Sequence, residues 1–519
     1  MAFLYAQAVV SVALVALAAA GAGRWIEWLL PRNMNWLDRA ALVLLGGLGT
    51  LGTLLFILGQ FDFSRRIIFG VLIVGGAVGI APMLRLVRRA LVTWKSYPAP
   101  AVAAAAIIFV LLITAIAGLA EIVGDSNNDA ISYHLLGPKV WLRDALIRPV
   151  PDNCLTSFPQ ISETLFAALL SVGGSRAPGF SAVLTLALFL LIVATVAVRA
   201  GLGHRGGWWC MAILATMPAA YAGAHSGFID VLYASFVIAA VRVALDAQTP
   251  KGFMALGVFS GFAMGSKYTG ISAVAVLFLV IILIRTGIKK DSRWPMLRNL
   301  SIAAFTAGMV ACPFYLRNWI ILGSPIYPAP LMLFRYFHPR YMSADAVRQM
   351  QVILWHRGRG LGRGPLAYFL LPFHLTYYTS NFHGAGGIGL APLAFGPFAI
   401  LLTRRNRAVR ALSMLAFGLT TLWFLQQESR YLIPGYAILV VLAVLGWRWI
   451  LATKGKTVEV LAAAVIALSI SYGCFMIASG RRNDLHAAVS PAFALNLRKE
   501  RVPYYESFDY LNHAASVQK

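Results

Sequence analysis

Apolar runs long enough to cross a bilayer recur from one end of this chain to the other. That repetition constrains the fold more than any motif does. A helix of about 20 predominantly apolar residues spans the hydrocarbon core. Backbone groups in lipid must be satisfied internally, and open sheet edges are not. The expected fold is therefore all-α: a polytopic transmembrane helical bundle of about 12–14 spans. Hydrophobic residues are 59% of the 519, and no polar block is large enough for a soluble domain. The mean hydropathy of +0.74 belongs to the same picture.

Fourteen candidate spans are read at 4–21, 40–60, 67–87, 102–120, 178–198, 208–224, 229–247, 252–264, 270–286, 299–321, 386–403, 408–425, 431–449 and 457–478. The eighth is short for a full crossing. The N-terminal run lacks a charged leader, although "AAAGAG" looks cleavable, and it is read as a retained first span. The expected organisation is N-terminal membrane helices at 1–100 and a transmembrane core at 101–325 carrying a first outer loop at 121–163. A long basic outer loop at 322–385, C-terminal membrane helices at 386–478 and a short outer tail at 479–519 follow.

Lys and Arg outnumber Asp and Glu by 44 to 19. In a soluble protein that excess would suggest nucleic acid. In a membrane chain it reads as cytoplasmic anchoring charge and contact with membrane lipids, so no nucleic-acid partner is expected. The groups at Arg85–Lys95, Arg199–Arg205, Lys251, Arg285–Arg298, Arg404–Arg410 and Arg448–Lys456 fall on one side if the spans alternate. That side is the cytoplasm. Arg65 and Arg66 are the short-loop exception. Cys154, Cys210, Cys312 and Cys474 have neither paired nor metal-ligand spacing.

The outer face then collects the acids. Glu121, Asp125, Asp129, Asp144, Asp152 and Glu163 are six of the 19 within 43 residues. Asp129 begins a stretch in which Tyr133, Leu136, Val140 and Trp141 recur at helical spacing, which predicts a helix on the membrane surface. A carboxylate at that boundary can take a proton from a hydroxyl nucleophile. Asp230 opens an apolar span, and two readings stand: a functional intramembrane acid or a helix N-cap. Lys267 is read as a snorkelling lysine or the partner of an anion. Glu428 and Arg430 are read as site residues or as a pair that serves only structure. Arg335, Arg340, Arg348, Arg357, Arg359 and Arg363 make the long loop basic, suited either to phosphate or to anionic headgroups. "LAYFLLPFHLTYYT" is suited to lying in the interface.

Six segments occur in order: "DAISYHLLGPKVWL", "SFPQISETLFAALL", "GFIDVLYASF", "GFAMGSKYTG", "GSPIYPAP" and "ESRYLIPGYAIL". Together they resemble bacterial members of the GT-C glycosyltransferase superfamily, near the protein mannosyltransferase and aminoarabinose transferase branch, over about residues 102–450. The resemblance implies an inverting transfer from a polyprenyl-phosphate sugar donor on the periplasmic face of the bacterial inner membrane. The acceptor is a lipid, a glycan or a protein. Asp129 matches the carboxylate that serves the family as catalytic base, and Asp230, which matches an acid that opens a later span, is expected to be catalytic with it. Ala130 replaces the usual second acid, which leaves divalent-metal assistance open; no other cofactor is indicated. Lys267 matches a lysine at the donor phosphate, and Arg430 and Tyr431 match a basic-aromatic pair near it. Tyr133, His134, Lys139, Glu163, Tyr268 and Arg357 complete the expected substrate-binding set. The family often continues into a soluble outer domain, which is expected to be absent or vestigial here. The competing readings are an O-antigen ligase or polymerase-like enzyme, and a non-enzymatic lipid or sugar transporter; the lack of an internal repeat speaks against the last.

Overall fold

The computed structural model describes residues 2–122, 129–224, 227–286, 293–328, 364–382, 387–404, 406–424, 427–453, 455–502 and 504–507, with single positions or pairs at 343, 345–346, 348, 360, 362 and 509–510. Described residues form helices and turns, with one isolated bridge between Val150 and Asn153. Helices of eight residues or more are numbered in chain order. They are α1 (Ala2–Ala22), α2 (Trp36–Leu58), α3 (Arg65–Thr93), α4 (Ala101–Gly118), α5 (Leu136–Asp144) and α6 (Ile161–Gly173). Next come α7 (Ala182–Ala197), α8 (Gly203–Ala215), α9 (Asp230–Ala244), α10 (Pro250–Ser266), α11 (Thr269–Thr286) and α12 (Arg293–Leu322). The last six are α13 (Pro365–Tyr377), α14 (Arg407–Trp423), α15 (Ile433–Thr453), α16 (Lys456–Gly480), α17 (Arg482–Val489) and α18 (Pro491–Arg501).

Among the described residues, eight helical stretches are long and apolar enough to cross a membrane. They are α1, α2, α3, α4, the joined α7–α8, α12, Ser429–Thr453 and α16, and the chain is a multi-pass membrane protein. The fourteen expected spans exceed these eight: in the one read at 386–403, residues 387–389 are not helical, and several of the helices are short, α9 with 15 residues and α10 and α14 with 17 each. Of these, α9 and α10 are enclosed by protein, whereas α14 exposes Phe417 and Leu422. From Asp230 to Val243 every residue of α9 is buried. The sequence reading passed over α6, whose 13 residues are too few to register as a crossing. It packs against α1 and α2.

Small residues let the helices approach. Glycines 75 and 79 on α3 face α1, where a Cβ at Gly79 would meet the Leu17 carbonyl oxygen at 1.8 Å. Gly257 and Gly261 do the same for α10 against α12. Spacing of four residues puts each pair on one helix face, the small-xxx-small arrangement of membrane helix contacts.

Several basic residues meet at one end of the bundle. Arg242 at the end of α9 pairs with Asp38 at 2.5 Å and with Asp246 at 2.6 Å, and Asp246 also takes Arg199. Close by, Arg285 donates to the Ala247 carbonyl and Arg448 to that of Gly201. The opposite end is closed by Phe63 and Ile147, whose amides bond to Ala145 and Gly59. Arg65 and Arg66 stand at that end, beside Phe63. On the outer side α13 exposes Leu366, Phe369 and Phe373, as a helix in the interface would.

Candidate active site

At the end of the bundle away from Arg242 and Asp246, the helix starts and turns bring residues 129, 230, 267, 428 and 430 together. Asp230 is the first residue of α9, and its side chain makes no cap bond. Its Oδ1 lies 2.6 Å from Lys267 Nζ instead, and Oδ2 lies 3.8 Å from Arg430 Nη1. An acid in the first turn also suits the helix dipole. Lys267 follows α10 in extended backbone, which turns the chain towards α11 and brings Nζ 4.0 Å from the centre of the Tyr431 ring. Snorkelling is therefore not what Lys267 does: its partners are a buried carboxylate and an aromatic face.

Arg430 lies in a short 3₁₀ turn before α15. Its guanidinium pairs with Asp129, stands 3.6 Å from Glu428 and packs over Phe228 at 5.0 Å. Glu428 and Arg430 are thus not a closed pair. Three carboxylates meet two cations in one network. Asp129 precedes a π-helical turn, Ala130–His134, a distortion frequent at functional sites. Its Oδ2 accepts a bond from Tyr133 at 3.3 Å. Gly227 makes room for this turn: its φ is +83°, and a Cβ there would sit 2.8 Å from that of Ala130.

The expected surface helix is real only in part. Trp141 on α5 is wholly buried beside Phe63, with Nε1 bonded to the Arg148 carbonyl, because α5 packs on α6. Lys139 is exposed on α5 and joins no ion pair among the described residues. His134 and Glu163 form a separate buried pair, Nδ1 to Oε1 at 2.6 Å. Burial pushes the Glu163 carboxyl up to about 8 and holds the His134 imidazole well below its usual value. Tyr268 turns away from Lys267, donating to the Tyr327 carbonyl at 2.6 Å and accepting from Asn318. Arg357 and Asp125 lie outside the described residues.

Beside Tyr431 a cavity of about 240 Å³ runs between α9, α11, α14 and α15, lined by Tyr233, Ala273, Leu419, Trp423 and Leu432 among others. Among the described residues no three His, Cys, Asp or Glu side chains are grouped as a metal site. Asp129 and Asp230 both face Arg430. The residues that sequence reasoning missed are Phe228, Gln160, Arg317 and Asn318. For Arg317 a signal existed: an arginine inside the apolar run "CPFYLRNWIIL".

Fold and site together define a polytopic helical membrane protein with a charged network at one end of its bundle. No family model matches the chain, and no curated protein matches it. Among solved structures it is similar to ArnT from Cupriavidus metallidurans bound to undecaprenyl phosphate, at 16% identity and TM-score 0.47 over 76% of this chain and 74% of that one. The same protein in the apo state is similar at 15% identity and TM-score 0.46, over 79% and 75%.

Proposed function

We propose that this chain is a membrane glycosyltransferase that moves a sugar from a polyprenyl-phosphate donor to an acceptor at the periplasmic face of the bacterial inner membrane. The observation that carries the reading is the contrast between two acids of one network. The Asp129 side chain is 32% exposed, whereas that of Asp230 is 1% exposed. A general base has to touch the proton that it removes. Asp129 meets that requirement, and Asp230 is suited to holding Lys267 and Arg430 in place.

In this reaction Asp129 takes the proton of an acceptor hydroxyl. The freed oxygen attacks the anomeric carbon on the face opposite the phosphate, which inverts its configuration. The bond from that carbon to the phosphate oxygen breaks, and its electron pair leaves with the polyprenyl phosphate. Lys267 and Arg430 counter the charge that builds on the leaving group, an effect strongest where water is excluded. The apolar cavity beside Tyr431 suits the first units of a prenyl tail. Segment 121–163 is then the catalytic loop.

The test is a deletion strain analysed for lipid-linked sugars. A polyprenyl-phosphate sugar should accumulate, and the wild-type gene should clear it while the Asp129→Asn gene does not. A strain in which no lipid-linked sugar changes would end this reading.

A further inference from the structure

Arg317 lies on α12 near its outer end and is 5% exposed. Its Nη2 donates to Gln160 Oε1 at 2.8 Å, and its guanidinium carbon stands 5.5 Å from the centre of the Phe56 ring. Among the described residues neither Nε nor Nη1 has a partner. No carboxylate stands within ion-pairing distance of it among the described residues. The other buried arginines differ: Arg242 faces Asp38 and Asp246, Arg176 faces Glu121, Arg481 faces Asp484, and Arg430 faces three acids. A buried charge left unpaired is costly, and a neutral amide compensates little of that cost.

Its place in the fold is also specific. Gln160 caps α6, three residues before Glu163. Asn318, the next residue on α12, donates to the Ser157 carbonyl and to the Tyr268 hydroxyl, and its own Oδ1 has no partner. Tyr268 adjoins Lys267 in the chain. The half-buried Phe158 ring stands 6.3 Å from that of Tyr133, which bonds to Asp129, and 5.3 Å from that of Tyr268, which bonds to Asn318. In that network both cations are already engaged by three carboxylates, so a phosphate there gains from a further donor that no acid holds.

We infer that Arg317 is an oxyanion-binding residue of the site: its two open guanidinium donors take oxygens of a phosphate ester that enters past Phe158. The fork of Nε and Nη1 matches two oxygens of one phosphate. The inference rests on the glycosyltransferase reading for its ligand, the phosphate of the lipid-linked donor. Bilayer phospholipid offers the same chemistry, so the test separates the two.

Wild type, Arg317→Met and Arg317→Lys are purified in nanodiscs, and binding of undecaprenyl phosphate and of phosphatidylglycerol is measured by native mass spectrometry. Methionine keeps the stem against Phe56 and removes the charge; lysine keeps the charge and loses the fork. Undecaprenyl phosphate should bind Arg317→Met at least about tenfold more weakly and Arg317→Lys in between, with phosphatidylglycerol unchanged. Without ligand, Arg317→Met should melt no lower than wild type, because an unpaired buried charge is gone. Equal binding of undecaprenyl phosphate to wild type and both variants overturns the assignment, as does an equal loss of both lipids. A lower melting temperature for Arg317→Met with unchanged binding makes the residue structural and also overturns it. If wild type itself binds no undecaprenyl phosphate, the glycosyltransferase reading fails first.

Discussion

Lys267 Nζ stands 2.6 Å from Asp230 Oδ1, so the end of α10 is tied to the start of α9 by an ion pair almost closed to solvent. The two residues are 37 positions apart in the chain. Their pairing sets where Arg430 can sit, because Asp230 Oδ2 is its second acid.

Removing one partner of such a pair leaves a buried charge alone. Asp230→Ala should destabilise the protein by about 3–5 kcal/mol, read as a lowered unfolding midpoint in detergent. Asp230→Leu combined with Lys267→Met should recover most of that loss while remaining inactive. A single variant as stable as wild type would show the pair to be solvated.

The acid that reaches solvent should carry the chemistry. Asp129→Asn should cut transfer on the order of 10²–10⁴-fold, with the protein still inserted and folded. Asp125→Asn, altered four residues earlier, should remain active. Reversed behaviour of the two variants would move the base to Asp125.

The His134–Glu163 pair makes stability depend on pH. Glu163 is pushed up to about 8 by burial, from a model-peptide value of 4.5. Its contribution is therefore complete below that lower value and is lost as pH rises through the folded value. His134 is shifted down by burial, so its contribution holds above its ordinary value of 6.5 and is lost as pH falls. Thermal melts of wild type should fall as the pH is raised through about 8. Glu163→Gln should remove that alkaline loss. Parallel melting curves for the two proteins would place the titration elsewhere.

The charge-sorted topology is open to labelling in intact cells. A cysteine placed at Arg148 should react with an impermeant thiol reagent, and one placed at Lys251 should not. Labelling at position 251 from outside would turn the charged network towards the cytoplasm.

Much of the architecture was legible in the chain because burial in lipid is enforced locally. Most of the expected spans fall on helix, since an apolar run has no other way to satisfy its backbone in a membrane. The expected orientation rests on the arginine clusters, because charge is decided loop by loop. Chain order alone could not separate helices that touch lipid from helices that touch only protein. The 15 residues of α9 read as a span because they are apolar, yet they are buried by their neighbours.

The site divides along the same line. Asp129, Asp230, Lys267 and Arg430 were visible as ionisable residues at helix ends, where charge is expensive enough to demand a reason. Which cation meets which acid depends on distances across the bundle: Asp129 and Arg430 are 301 positions apart and yet in contact. Lys139 belonged to the same motif and turned outward, because the packing of α5 on α6 set its direction. Arg317 sat unremarked inside an apolar run, and only the absence of an acid beside it distinguishes it from Arg242. Residue type and periodicity act over a few turns of helix and determined the bundle and its polarity. Pairing of charges acts through space and was left to the tertiary structure.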